Sequence, residues 1–146
     1  MPRPLQEILR FILKREACRT LFIGWFIALF VLSSIPGKAE ARGQLLFADK
    51  IAHFIFFALG STAFTLTLMQ HPWRKHSSSF IFGACLSMIA IVGAYDEWHQ
   101  TFTPNRDGNS SGDFVANLAG GAFGYCVVLW CKGKSIISLD HLARHQ

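Results

Sequence analysis

Ionisable and amide side chains gather at a few places in this 146-residue chain, and each place adjoins a long apolar run. Asp49 and His53 are four residues apart, which puts both on one face if the segment is helical. The same spacing relates Asp113 to Asn117, and Glu97 lies in a third polar stretch. The complete set of candidate residues is Asp49, Lys50, His53, Glu97, His99, Gln100, Arg106, Asp113 and Asn117.

These residue types can transfer protons and hold anions. Glu97, His53 and Asp113 are the predicted catalytic residues, with a carboxylate as general base and an imidazole, from His53 or His99, as acid or base. The other candidates are predicted to bind a substrate, with Arg106 and Lys50 holding its phosphate. This substrate-binding set is Asp49, Lys50, His99, Gln100, Arg106 and Asn117. Glu97 and Arg106 are also expected to form a charge-assisted pair.

No cofactor is predicted, because the sequence contains no phosphate-binding glycine loop, nucleophile motif or cofactor signature. No metal site is predicted either, since the potential ligands are scattered along the chain. One metal-binding variant stays open, with the ligands His53, Glu97, His99 and Asp113.

Each polar residue also has a purely structural interpretation. Asp49 and Asp113 would each favour the amino terminus of a helix. His53 and Asn117 are harder to explain in this way, because both lie one turn inside an apolar run. Polar residues at that depth usually face a bundle interior or a cavity.

Four long apolar runs must position these side chains. Hydrophobic residues make up 51% of the chain and charged residues only 16%, whereas a soluble domain is about 25% charged. A spanning helix needs roughly 17–25 apolar residues, and in lipid a helix satisfies its own backbone hydrogen bonds. We therefore predict an all-α polytopic membrane protein. It is a single-domain four-transmembrane-helix bundle with spans at about 18–35, 50–70, 78–98 and 113–131.

The basic residues predict the orientation of this bundle. Of the 14 lysines and arginines, five lie in the amino-terminal segment, two in the second connection and three in the tail. The positive-inside rule then places both termini and the second connection in the cytoplasm, and the polar residues at the outer face of the membrane. The net charge of +5 thus reflects topology, and no nucleic-acid motif is present.

The two ends of the chain are predicted to lie on the cytoplasmic side. Residues 1–19 form an amphipathic segment, because Leu5, Ile8, Leu9, Ile12 and Leu13 recur at helical spacing, and residues 132–146 form a tail. The first span could instead be a cleaved signal peptide, since small residues at 39–41 follow its apolar run. The four cysteines are expected to be small core residues rather than disulfide partners.

Glycines in the fourth span indicate close helix packing. Asn117, Gly120, Gly121 and Gly124 fall on one broad stripe, and Gly120 and Gly124 have GxxxG spacing. We expect this stripe to hold the fourth helix against the second or third, so that Asn117 meets His53 or Glu97. A homo-oligomer joined through the same stripe stays open.

Taken in order, these residues resemble the VanZ-like family of small bacterial membrane proteins. The resemblance extends over roughly residues 48–124: Asp49-Lys50 and His53, then Glu97 and Gln100, then Arg106, Asp113, Asn117 and the glycines after it. Two departures are visible. Asn105 stands where the family often has glycine, and the interval from Arg106 to Asp113 is one residue longer. The resemblance leaves open whether Asp107 or Asp113 pairs with Arg106.

The resemblance implies a membrane protein of the cell envelope, in a family named after a member linked to teicoplanin resistance. We expect the polar site to bind or process an amphiphilic envelope substrate, either a phospholipid or a polyprenyl-linked carrier. The alternative is a non-catalytic scaffold, or a partner of an envelope protein, in which the polar cluster is a structural network. A transporter is disfavoured because four short spans leave little room for an alternating pathway.

Overall fold

The computed structural model describes residues 14–37, 46–70, 77–106 and 108–134, and all regular structure in them is helical. The four helices are α1 (Arg15–Ser33), α2 (Leu46–Met69), α3 (Ser78–Gln100) and α4 (Ser111–Gly133). All four are long and apolar enough to cross a membrane. The predicted four-helix membrane bundle is therefore confirmed, and the chain is a multi-pass membrane protein.

Some predictions concern residues outside the described ranges. Most of the amphipathic segment predicted at 1–19 and of the tail predicted at 132–146 lies there, as do the small residues at 39–41. The last residues of the first segment, from Arg15 onward, belong to α1, and residues 132–133 belong to α4.

Large apolar side chains cover the outside of the bundle. Ile91 is 71% exposed, and Leu59 and Val115 are each 62% exposed. Several polar side chains are instead buried inside, among them Ser61 and Thr65. A soluble protein would bury its apolar residues, whereas lipid is a good solvent for them and leaves polar groups to find partners in the interior.

The tightest helix contact joins α2 to α4 through glycine. A Cβ atom added at Gly120 would overlap the carbonyl oxygen of Phe54, and one added at Gly124 would overlap that of Ala58. Ser61 strengthens this contact, because its hydroxyl donates a 2.6 Å hydrogen bond to the carbonyl of Gly121. The prediction that the glycine stripe packs within the chain, against the second or third helix, is confirmed: Gly120 and Gly124 face α2 and Gly121 faces α3.

Helix α1 packs on α2 through one tryptophan. The indole of Trp25 fills the space left by the missing side chain of Gly60, and its Nε1 donates to the carbonyl of Phe56 at 2.9 Å. This carbonyl lies in a helix, so the hydrogen bond adds to the helix ladder rather than replacing it. Trp25 thereby fixes α1 beside the part of α2 that carries the polar residues.

The connection between α3 and α4 is tied to the end of α1. Gly37 N–H donates to the carbonyl of Pro104 at 3.0 Å, and the Thr103 hydroxyl donates to the carbonyl of Ser33 at 3.1 Å. Asn105 and Asn109 turn this connection with φ angles of 58° and 62°. Asparagine tolerates that left-handed conformation better than most residues. The end of α1, the start of α2, the end of α3 and the start of α4 therefore meet at one end of the bundle.

Candidate functional site

A cavity of about 240 Å³ opens at this end of the bundle. One part of its wall is polar and comprises Ser33, Asp49, His53, Asp96, Gln100 and Arg106. The other part is apolar and comprises Leu29, Leu32, Ala52, Phe56 and Phe57. Helices α1, α2 and α3 and the α3–α4 connection all contribute, so the cavity depends on the whole fold.

His53 on α2 meets Asn117 on α4, and it is one of the two partners, with Glu97, that the glycine stripe predicted for Asn117. His53 Nδ1 lies 2.9 Å from Asn117 Oδ1, and Asn117 is completely buried. An amide oxygen only accepts hydrogen bonds, so Nδ1 is the donor and carries a proton. Nε2 is then the nitrogen with which neutral His53 can accept a proton or bind a metal.

Asp96 and Glu97 are buried beside His53 at the end of α3, with only 3% and 4% of their surfaces exposed. Gln100 Nε2 donates to Asp96 Oδ2 at 3.0 Å, and the Ser110 N–H donates to Glu97 Oε2 at 2.8 Å. Glu97 Oε1 is buried and has no hydrogen-bond partner among the described residues. An unpartnered buried carboxylate oxygen is costly, which points to a ligand or proton that completes the site.

Lys50 and Asp113 join α2 to α4 a second time. Lys50 Nζ donates to Asp113 Oδ1 at 2.8 Å, and the Asp113 side chain is 8% exposed against 39% for Lys50. Asp113 is also the acidic residue in the first turn of α4, where the helix dipole favours a negative charge. Asp49 is exposed and lies on the cavity wall.

Arg106 does not form the ion pair with Glu97 that the sequence led us to expect. Its Nε donates to the carbonyl of Ile35 at 3.1 Å, and its Nη2 donates to the carbonyl of Leu32 at 2.9 Å. The last carbonyls of a helix lack partners inside it and carry partial negative charge, so a guanidinium is well placed there. Asp113 pairs with Lys50 instead of Arg106, and Asp107 lies outside the described residues.

His99 lies outside the large cavity although the sequence placed it among the substrate-binding residues. Its ring stacks on Phe30 and Tyr95, and its Nε2 lies 3.0 Å from the Ser34 hydroxyl. It lines a separate small cavity of about 10 Å³. His99 therefore contributes to the contact between α1 and α3 rather than to the wall near His53.

Sequence reasoning missed several residues of the site. Asp96, which precedes Glu97 in the third polar stretch, was not chosen as a site residue, although it is buried beside His53. Ser33 was not considered, although its side chain is buried and lines the cavity. The Ser33-Ser34 pair at the end of an apolar run was the available signal. The residues of the apolar wall could not be recognised in the sequence, because the helices are apolar on all sides.

Potential metal ligands that are far apart in sequence come together around His53. One ligand atom from each of His53, Asp96 and Glu97 lies within 4.8 Å of the other two. The same holds for Asp49, His53 and Asp113. The metal-ligand set that the sequence left open, which included His99, is not one of these two groups.

Comparison of the chain with models of known families, with curated proteins and with solved structures found no match.

Proposed function

We propose that the protein is a VanZ-like protein of the bacterial inner membrane whose cavity binds or processes an amphiphilic cell-envelope substrate. The substrate class is a phospholipid or a polyprenyl-linked carrier, and through it the protein would affect susceptibility to teicoplanin. The observation that carries this proposal is the two-sided cavity. Its polar wall suits a phosphate headgroup, and its apolar wall, with Leu29, Phe56 and Phe57, suits the chain attached to that headgroup.

The convergence of the polar residues supports the VanZ-like assignment. The residues on which the resemblance rests come from α2, α3, α4 and the α3–α4 connection, and they meet at one end of the bundle. Asn105, the first departure from the family pattern, has a φ of 58°. Glycine and asparagine are the residues that most readily adopt this conformation, so the exchange preserves the turn.

The distribution of basic residues supports an outward-facing cavity. Arg15 and Arg19 lie at the start of α1 and Lys132 and Lys134 at the end of α4, so both pairs are at the end of the bundle opposite the cavity. The positive-inside rule assigns that end to the cytoplasm. The cavity then faces the compartment in which lipid-linked envelope precursors are used.

The contacts suggest a role for each residue in a reaction. With no metal ion at the site, His53 would accept a proton at Nε2 while Asn117 holds its Nδ1. Glu97 is the better general base of the two carboxylates first considered, because Asp113 is already paired with Lys50. Arg106 Nη1 is outside the two hydrogen bonds to α1 and would hold the phosphate.

Lipid binding in nanodiscs tests the proposal. The purified protein would be incubated with polyprenyl phosphate or with phosphatidylglycerol, and bound lipid would be counted by native mass spectrometry. We expect one of the two lipids to be retained, with at least tenfold weaker binding in Arg106→Gln. Arg19→Gln, at the opposite end of α1, is the matched control and should bind as the unchanged protein does. Equal retention by both variants, or no retention by any form, would contradict the proposal.

A structural network is the second candidate function, and one observation favours it. The His53–Asn117 and Lys50–Asp113 contacts both join α2 to α4, so the cluster already serves the fold. A purely structural cluster predicts that Glu97→Gln lowers the amount of protein in the membrane. A reaction site predicts normal abundance with loss of the teicoplanin phenotype, and measuring both in one strain distinguishes the two.

A further inference from the structure

His53 and Asp96 on the cavity wall form a compact group with Glu97, which lies beside them. One ligand atom from each residue lies within 4.8 Å of the others, and both carboxylates are almost completely buried. We propose that this group binds one divalent metal ion of the Zn²⁺ or Mn²⁺ class. The sequence did not predict the site, because the ligands come from α2 and from two adjacent positions of α3.

Each of the three side chains is oriented by a hydrogen bond through the atom that it would not offer to the metal. His53 Nδ1 donates to Asn117, Asp96 Oδ2 accepts from Gln100, and Glu97 Oε2 accepts from the Ser110 N–H. Histidine Nε2 and one oxygen of each carboxylate are left for the ion. Metal ligands in proteins are characteristically held in this way by outer partners.

The charge balance around the group also calls for a cation. Lys50 pairs with Asp113, and Arg106 donates to backbone carbonyls of α1. Among the described residues, neither lysine nor arginine forms an ion pair with Asp96 or Glu97. Two neighbouring buried carboxylates repel each other and are costly to desolvate, and Glu97 Oε1 has no hydrogen-bond partner there. A divalent ion would neutralise both carboxylates and would bind Glu97 Oε1.

The ligand types select the class of metal. One imidazole with two carboxylates suits Zn²⁺ or Mn²⁺, whereas Mg²⁺ and Ca²⁺ prefer oxygen ligands alone. Three protein ligands leave a coordination position open, as in catalytic zinc sites. His53 and Asp96 line the cavity, so the open position would face it. Binding of a substrate phosphate at this position rests on the proposed function. Binding of the ion itself does not depend on it.

The second group, Asp49, His53 and Asp113, shares its histidine with the first. It is the weaker candidate, because Asp113 is paired with Lys50 at 2.8 Å and Asp49 is exposed. Exposed carboxylates lie near one another in many proteins without holding an ion. The two groups predict different effects of substitution, which the experiment below uses.

Metal binding can be measured on the full chain without any lipid substrate. The purified protein in detergent would be stripped with EDTA and titrated with Zn²⁺, Mn²⁺ or Mg²⁺, with stoichiometry determined by elemental analysis and affinity by calorimetry. We expect one Zn²⁺ or Mn²⁺ per chain and at least tenfold weaker binding of Mg²⁺. Asp96→Asn and Glu97→Gln should each weaken binding at least tenfold.

Two matched controls lie outside the group. Glu16→Gln changes an exposed carboxylate at the opposite end of the bundle, and His99→Gln changes an imidazole that lies outside the large cavity. Both should bind metal as the unchanged protein does. Unchanged binding in both Asp96→Asn and Glu97→Gln would overturn the assignment. Loss in Asp113→Asn with retention in Glu97→Gln would overturn it in favour of the second group.

A measurement on the unchanged protein guards against variants that fail to fold. Pulsed electron paramagnetic resonance of the Mn²⁺-loaded protein should show one directly coordinated imidazole nitrogen. Absence of metal binding, or a Mn²⁺ signal without nitrogen coupling, would overturn the assignment. Lipid binding by a protein that takes up no metal would leave the proposed function standing while this inference fails.

Discussion

His53 Nδ1 and Asn117 Oδ1 face each other at 2.9 Å across the contact between α2 and α4. Asn117 is fully buried, and it sits one turn before Gly120, whose missing side chain lets the two helices approach. The packing of the bundle and the orientation of the imidazole thus depend on the same few residues. A substitution at Asn117 should affect both, but not to the same extent.

We expect Asn117→Ala to disturb the site more than the fold. Loss of one hydrogen bond between membrane helices costs roughly 0.6–1.7 kcal/mol, which a bundle of four helices should tolerate. His53 would lose the acceptor that fixes its ring, so lipid or metal binding should fall at least tenfold. Thermal unfolding in detergent and ligand binding would be measured on the same sample.

Thr62→Val is the matched control for this variant. Thr62 lies in the same helix contact, away from the cavity, and its hydroxyl donates to Ala58 of its own helix at 2.8 Å. Its substitution should lower stability slightly and leave ligand binding intact. If Asn117→Ala binds ligand as well as Thr62→Val does, the orientation of His53 does not matter for function.

Glycine substitutions should separate packing from helix propensity. A Cβ at Gly120 would overlap the backbone of α2, which cannot move aside as a flexible side chain can. Gly120→Ala should therefore destabilise the protein by about 1–3 kcal/mol, as overpacked cores do. Gly83→Ala is the control, because nothing lies within 4 Å of its added Cβ. It should be neutral or slightly stabilising, and equal losses in both variants would contradict the packing argument.

The approach of His53 to Asn117 could be predicted because the relevant signals are local. Four-residue spacing, polar residues within apolar runs and a glycine stripe each require only the geometry of one helix. The stripe then identified the face of α4 that meets a neighbour. The four spans were predictable for the same reason, since length and apolarity within one segment suffice.

The partners of Arg106 and His99 could not be predicted because they depend on how the α3–α4 connection returns to α1. Asn105 adopts a left-handed conformation just before Arg106, and the guanidinium then reaches carbonyls more than 70 positions earlier in the chain. His99 and Asp96 are three residues apart on α3, yet His99 stacks on Phe30 of α1 while Asp96 lines the large cavity. No sequence pattern specifies the position of α1 that makes this difference.

The Lys50–Asp113 pair should be coupled in a double-mutant cycle. Lys50→Met leaves the largely buried Asp113 carboxylate without its cation, so we expect a clear fall in melting temperature. Asp113→Asn added to Lys50→Met should restore part of that loss, because no unpaired buried charge remains. Additive effects of the two substitutions, measured by thermal unfolding in detergent, would show that the two residues do not stabilise each other.

Cysteine labelling should place the cavity end outside the cell. Ser111 and Ser79 are exposed at opposite ends of the bundle, whereas Ser110 and Ser77 cap helices with their hydroxyls and should be left intact. We expect Ser111→Cys, but not Ser79→Cys, to react with a membrane-impermeant maleimide in intact cells. The background should lack Cys126 and Cys131, since the other two cysteines are fully buried. Labelling of Ser79→Cys but not of Ser111→Cys would show that the topology is inverted, with the cavity end in the cytoplasm.

Arg106→Lys should loosen the end of α1 although it keeps the positive charge. The guanidinium donates to two carbonyls at once, which a lysine ammonium cannot reproduce in the same planar geometry. Hydrogen bonds from charged donors contribute about 1.5–3 kcal/mol each when buried, so a loss of about 1 kcal/mol is expected for this half-exposed residue. Thermal unfolding would measure it, with Arg19→Lys as the control, because among the described residues the only ion-pair partner of Arg19 is the exposed Glu16. Equal stability of the two variants would mean that the hydrogen bonds from Arg106 to α1 do not stabilise the fold, so that the role of Arg106 would be in ligand binding.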